Sequence, residues 1–258
     1  MILRRFTHAL KEQNWTAIGI EFVLLVLGVF LGIQVANWNE TRRERTLEAE
    51  YVGRLQRDFR AIDARLAINL ARWENTAAAP IRLINDMESF RERGIWPRDK
   101  AGVLRDLDAT MGSRIPAPRA ASYVELLSAG RLGLLRDSRL REALADYDTQ
   151  AGFTLKAYDV LIQRVDPERP TLVRHMQFDR GAGTAQMNPQ EIVRNGGDGW
   201  GDVDLAQLSS DPELEAALNT FASASRNQVL NVRLQQEQAH AVMALLDPDG
   251  TRGWGGPP

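Results

Sequence analysis

The chain has no cysteine, three histidines, and only three lysines (Lys11, Lys100 and Lys156) among 32 basic residues. Absence of cysteine removes disulfides, thiolate metal sites and cysteine nucleophiles together. It fits either side of a bacterial membrane, so it does not fix the redox compartment. A net charge of −2 over 258 residues leaves no overall field to draw the chain to nucleic acid or to an anionic membrane face. The arginine excess fits a GC-rich coding sequence as readily as phosphate binding. His8, His175 and His240 are scattered, and none has a second ligand at helical spacing. They read as ordinary surface or boundary histidines, with His8 at most sensing interfacial pH.

Catalytic signatures are equally scarce. There is no G-x-S-x-G elbow, no phosphate-binding glycine loop and no H-E-x-x-H. "RGAGTA" at Arg180 has two glycines but no apolar helix after it, which argues against a dinucleotide site. The acids Asp198, Asp202 and Asp204 of "GGDGWGDVD" lack the order and closing glutamate of an EF-hand, as does "DPDG" at Asp247. Both read as solvated turns. "RRER" alternates with glutamate and has no interleaved aromatics, so it reads as a solvated helix face. Paired acids occur at helical spacing, but none sits in an apolar setting that would tune its pKa. The residues support no catalytic group, no metal and no cofactor.

What the chain does have is one long apolar run. Between Ala17 and Ala36 the only strongly polar side chains are Glu21 and Gln34. Twenty helical residues span about 30 Å, the thickness of a hydrocarbon core. Trp15 and Trp38 bracket the run, where indole rings favour the membrane interface. A buried soluble helix of this length is uncommon, and "QVANWNE" after the run lacks a small-x-small cleavage site. An uncleaved anchor over 17–38 follows, behind a short basic tail at 1–16. Cations balance on the two flanks: Arg4, Arg5 and Lys11 against Arg42, Arg43 and Arg45. A short cationic tail resists crossing and a long domain does not, which favours a cytoplasmic tail with the large domain outside.

Leu25, Gly28, Gly32, Val35 and Asn39 share the side of Glu21, at about 100° per residue. Gly28 and Gly32 form a G-x-x-x-G pair, and Ala36 extends the small-residue ridge. Glu21, Leu25, Gly28, Gly32 and Ala36 are therefore the candidate helix–helix contact. Glu21 lies about 6 Å inside the run, short of the costly midplane, so snorkelling is the competing reading.

The anchor also resembles that of an uncharacterised family of bacterial single-pass membrane proteins. Such anchors read glycine-glutamate, an apolar run, glutamine, then asparagine-tryptophan-asparagine-glutamate. Glu21, Gly28, Gln34, Asn37, Trp38, Asn39 and Glu40 fall on that pattern. The glycine is displaced: Ile20 precedes Glu21, and Gly19 lies one place earlier. "YVELLSAGRLGLLRDSRLREALADY", Tyr123 to Tyr147, resembles the same family's central region. The resemblance implies an architecture and supplies no activity.

Beyond the anchor the pattern is helical. Leu47, Tyr51, Leu55, Phe59, Ile62, Leu66, Leu70 and Trp73 recur at spacings of three and four, one stripe on a helix leaving the membrane. Pro80 is expected to interrupt it, with a shorter pattern through Ile84, Met87 and Phe90. "GIWPRD" reads as a turn, about Lys100 to Met111 as a short helix, and "RIPAPR" as a linker. Asp137 or Ser138 is expected to cap a helix running past Gly152 to Val165, which "DPERP" breaks. Glycines make 179–204 mostly loop. "SDPELE" predicts a helix capped by Asp211 with Pro212 in its first position, and Leu214, Leu218, Phe221, Val232, Met243 and Leu246 on one face. No alternating strand pattern survives. "ELLSAGRLGLL" reads as a tight helix corner with buried leucines, or as a partner site presented by Glu125 and Arg131. Trp96, Trp200 and Trp254, beside turns, are expected to cover a core edge.

The expectation is an all-α protein: a single N-terminal transmembrane helix continuing into an antiparallel helical bundle of four or five helices. Stalk and bundle occupy 39–178, a Gly-rich loop region 179–210, the C-terminal helix 211–246, and a disordered tail 247–258. The expected function is a membrane-anchored interaction or assembly protein of the bacterial inner membrane, with its large domain periplasmic. Its partners would be the lipid bilayer and a second copy or another membrane protein, and not nucleic acid. A sensor-like domain signalling through a membrane partner, and an anchored enzyme using carboxylates, remain open. The N-terminal tail is too short for a folded output domain, so a sensor would need a separate signalling protein.

Overall fold

A computed structural model describes residues 15–178 and 200–247. Its first helix, α1, is Trp15–Arg93. The others are α2 Lys100–Thr110, α3 Ala121–Ser128, α4 Ser138–Val165, α5 Arg169–Val173, α6 Leu205–Ser210 and α7 Pro212–Leu246. Strands β1 Met176–Phe178 and β2 Trp200–Val203 complete the elements. The chain divides into a unit of residues 1–51 and a unit of residues 52–258.

In the first unit α1 carries the apolar run. Its large apolar side chains from Ile20 to Trp38 are all exposed, and one window is long and apolar enough to cross a membrane, with none of it buried. Leu47, which spacing assigns to the buried stripe, is 39% exposed. Spacing marks a face, not how far along it the cover extends.

In the second unit three long helices make the core: α1 after residue 51, α4 and α7. Phe59 meets Tyr147 edge-on at 4.9 Å between ring centroids, and Trp73 meets Tyr158 at 6.3 Å. These contacts advance together, so α1 and α4 run parallel. The α1–α7 pairs run in opposite senses: Gln56 Nε2 donates to Leu246 O at 2.7 Å, Asp63 lies 2.8 Å from His240, and Glu74 2.6 Å from Arg233. α7 is thus antiparallel to both other helices. Leu55, Phe59, Leu66, Trp73, Leu144, Leu218 and Val232 are buried at the centre. Burial pushes the Tyr147 phenol up to about 12, and its hydroxyl donates to Pro118 O at 3.0 Å while accepting from Gln235.

Capping follows local chemistry where the chain offers it. Asp99 accepts from the Gly102 amide, Asp137 from Arg139, and Asp211 from Glu213 and Leu214. Pro212 occupies the first turn of α7, where no amide donor is needed. Gly94 and Gly130 take φ of +71° and +66° at the ends of α1 and α3, a conformation that costs other residues steric strain.

Two expectations are corrected. α1 continues through Pro80 without a break. Proline removes one amide donor and clashes with the turn before it, a cost of about 3 kcal/mol. Here the flanking residues are held by tertiary packing: Trp73, Ala79, Leu83 and Met87 are all buried. That burial outweighs the local penalty. The second correction lies in the expected loop region 179–210. Residues 200–203 form β2, which pairs antiparallel with β1 (Met176 opposite Val203), and 205–210 form α6. Strands of three and four residues are too short to show alternation. Val203, Met176 and Leu208 are buried, which holds the strand pair to the bundle. The expectations for residues 1–14, 179–199 and 248–258 lie outside the described residues, and with them His8, Asp198 and Trp254.

Candidate interaction surface

α4 carries two stripes. One is the buried face of Leu140, Leu144, Tyr147, Ala151, Thr154, Leu161 and Val165. The other runs Gln150, Phe153, Ala157, Val160 and Arg164, spaced three, four, three and four. α7 likewise turns Ala224, Asn227, Leu230, Asn231 and Leu234 to the same side. Together these form an open groove of about 690 Å³, lined also by Lys156 and Leu161, with no α1 residue in its wall. Phe153, Val160, Leu230 and Leu234 are 59%, 56%, 54% and 47% exposed. Four large apolar side chains in one open trough differ from the scattered apolar residues of ordinary surfaces.

The groove floor is set by polar contacts that lock the helix pair. Thr154 Oγ1 lies 2.9 Å from Gln150 O and 3.3 Å from Asn231 O, its single proton shared between them. Gln228 Nε2 donates to Thr154 O at 3.4 Å, and Gln150 Nε2 to Asn231 O at 3.4 Å. The charged side chains lining the groove are Lys156 and Arg164, and no carboxylate lines it. The trough therefore offers apolar contact area and positive charge.

Other ionisable groups are engaged structurally. Arg82 grips Asp106 through two bonds of 2.6 and 2.9 Å, while Arg98 reaches both Asp106 (2.7 Å) and Asp86. This cluster ties α1 to α2. Burial raises the Asp106 carboxyl, but the bonds from Arg82 and Arg98 outweigh it and hold it below the usual carboxylate range. His175, expected at the surface or its boundary, is 3% exposed. Its Nε2 lies 2.8 Å from Asp211 Oδ2, while Nδ1 has no partner among the described residues. Burial raises Asp211 too, and the His175 bond and the two α7 amides override it. A cap residue recruiting a buried imidazole from the α5–β1 connection is invisible to spacing.

The remaining candidates disperse. Glu125 bonds Arg54 on α1, and Arg131 is exposed beside a 3-10 turn at Leu132–Leu134. The corner's leucines are only partly buried as expected: Leu126 and Leu135 are, whereas Leu127 is exposed and Leu132 and Leu134 are half-buried. Asp202 binds Lys100 at 2.7 Å, and Asp204 caps α6. Among the described residues no three His, Asp or Glu gather as a metal site. Trp96 stacks on Phe90 and donates to Leu205 O at 3.2 Å, covering a core edge as expected.

Along α1, Glu21, Leu25, Gly28, Gly32 and Ala36 are exposed. A Cβ on Gly28 or Gly32 would meet nothing within 4 Å. Periodicity along the buried face of each helix does not reveal the α4–α7 groove. The signal was present: Phe153, Val160, Leu230 and Leu234 keep heptad spacing beside the buried stripe. Comparison of the chain with protein-family models, curated proteins and solved structures gave no match.

Proposed function

We propose that this chain is a membrane-anchored helical protein that works by contact with other proteins, seated in the bacterial inner membrane with its bundle in the periplasm. The observation that supports it is α1 itself: a wholly exposed apolar window of membrane length continues as one helix into a folded domain. The resemblance to single-pass anchors agrees with this reading. The test is fractionation followed by cross-linking. The full chain stays in the membrane pellet after alkaline carbonate, and a phosphatase active only outside the cytoplasm works when fused after Leu246. Cross-linking in intact membranes yields a discrete protein adduct. Release of the chain by carbonate, or the absence of any adduct, overturns the proposal.

Within the membrane the contact runs along Glu21, Leu25, Gly28, Gly32 and Ala36. Small residues allow close helix approach, and a buried acid gains an interhelical bond there. In a membrane two-hybrid assay, Gly28→Ile removes most self-association or partner signal, because a branched side chain fills the ridge. Glu21→Leu lowers it less, by roughly the 0.6–1.7 kcal/mol of a polar contact between membrane helices. Parental signal in both variants at equal expression leaves Glu21 a snorkelling acid.

A further inference from the structure

We infer that the α4–α7 groove receives one acidic amphipathic helix of a partner protein. This deepens the contact reading above and rests on it. The groove walls are two antiparallel helices whose outward side chains keep coiled-coil spacing: Gln150, Phe153, Ala157, Val160 and Arg164 on one, Asn227, Leu230 and Leu234 on the other. Such spacing makes the holes that knobs of a third helix fill. From Gln150 to Arg164 the trough runs about 21 Å, enough for four turns of an incoming helix. Helix-in-groove recognition reads apolar anchors at spacings of three and four, and Phe153, Val160, Leu230 and Leu234 provide their counterparts.

Charge decides the occupant. The lining carries Lys156 and Arg164 and no carboxylate, and neither cation forms an ion pair among the described residues. Asp146 stands one turn beyond Gln150 and Glu237 one turn beyond Leu234, both outside the lining. A second copy laid parallel over this lining would set four cations and no carboxylate in one seam, and like charges at close range are repelled. A helix with glutamates flanking its apolar stripe pairs with both cations while burying the four apolar side chains. Glutamine and asparagines at the walls tolerate polar neighbours of either sign.

The test uses the full chain in nanodiscs of neutral phosphatidylcholine, which keeps detergent out of the groove. The probes are two fluorescent peptides of about three heptads. Both have leucine at the core positions, one with glutamate and one with lysine at the flanks. The expected result is at least tenfold tighter binding of the glutamate peptide. The double substitution Lys156→Glu/Arg164→Glu reverses that preference. Phe153→Ser with Leu230→Ser weakens the glutamate peptide at least tenfold, and because all four positions are exposed the variants keep the parental circular dichroism. Equal binding of the two peptides, or no binding of either, overturns the inference. A dimer in native mass spectrometry that Phe153→Ser/Leu230→Ser disperses also overturns it, assigning the groove to a second copy. Displacement of the bound peptide by anionic lipid added to the nanodisc, with no charge preference among peptides, assigns it to lipid. In each of these cases a cross-linked adduct in membranes leaves the contact reading standing, whereas loss of the adduct removes both.

Discussion

Leu66→Asp is expected to abolish the cooperative unfolding of the bundle, while Arg65→Asp leaves it close to the parent. Leu66 is 0% exposed, and its neighbour Arg65 points to solvent. The substitution forfeits about 2–3 kcal/mol of buried leucine and adds a carboxylate with no partner, which costs several more. A total above roughly 5 kcal/mol equals the lower end of domain stability. Exposed substitutions away from special features stay within about 0.5 kcal/mol. The anchor helix keeps its far-ultraviolet signal in detergent, so the measurement is near-ultraviolet circular dichroism, which reads buried rings such as Trp73 and Tyr147. The Leu66 variant loses that signal and becomes protease-sensitive after residue 51. A melting curve like the parent's would show that this stripe is not the core.

Asp106→Asn should lower the melting temperature by about 5–10 °C, the next largest effect. Its side chain is 8% exposed and carries bonds from both Arg82 and Arg98. Removing one partner of a fully buried pair costs about 3–5 kcal/mol. Here the arginine side chains keep 40% and 31% exposure, so water recovers part of the loss and roughly 2–3 kcal/mol remains. For a domain near 200 residues each kcal/mol moves the midpoint by about 2–4 °C. The same residue sets a pH dependence. Its folded carboxyl titrates below its unfolded one, so its contribution is complete above the ordinary carboxylate range near 3.8. It is lost as pH falls through the lower, folded value. Parental protein therefore loses stability below about pH 4, and Asp106→Asn loses less over that window because part of the loss has already occurred. Equal acid limbs in the two proteins would mean that the cluster contributes nothing.

Several features were legible because their causes are local. A twenty-residue run between two tryptophans, apolar but for Glu21 and Gln34, marks a helix of membrane length. Asp211 followed by Pro212 starts a helix by supplying an acceptor and by needing no donor, and α7 begins there. Leu55, Phe59, Ile62, Leu66 and Trp73 share a face by the geometry of 3.6 residues per turn, and all are buried. Pro80 carries a local signal of the opposite sign, and packing on both sides of it overrode that signal.

The rest depends on partners distant in the chain, and those no window of sequence contains. The cap position of α3 is Ala120, which has no capping side chain, and the Ser122 amide is satisfied by Asp58 of α1 at 2.8 Å. The "RIPAPR" stretch reads as a linker, yet the carbonyls of Ile115, Ala117 and Pro118 accept bonds from Asn69, Gln235 and Tyr147. His175 is buried because Asp211, 36 residues on, receives it. The groove exists only because α7 returns antiparallel to α4 and aligns two second stripes, each unremarked on its own helix. Periodicity states which residues share a face. Which faces are covered, and which are left open to a partner, is settled by the free energy of bringing distant segments together.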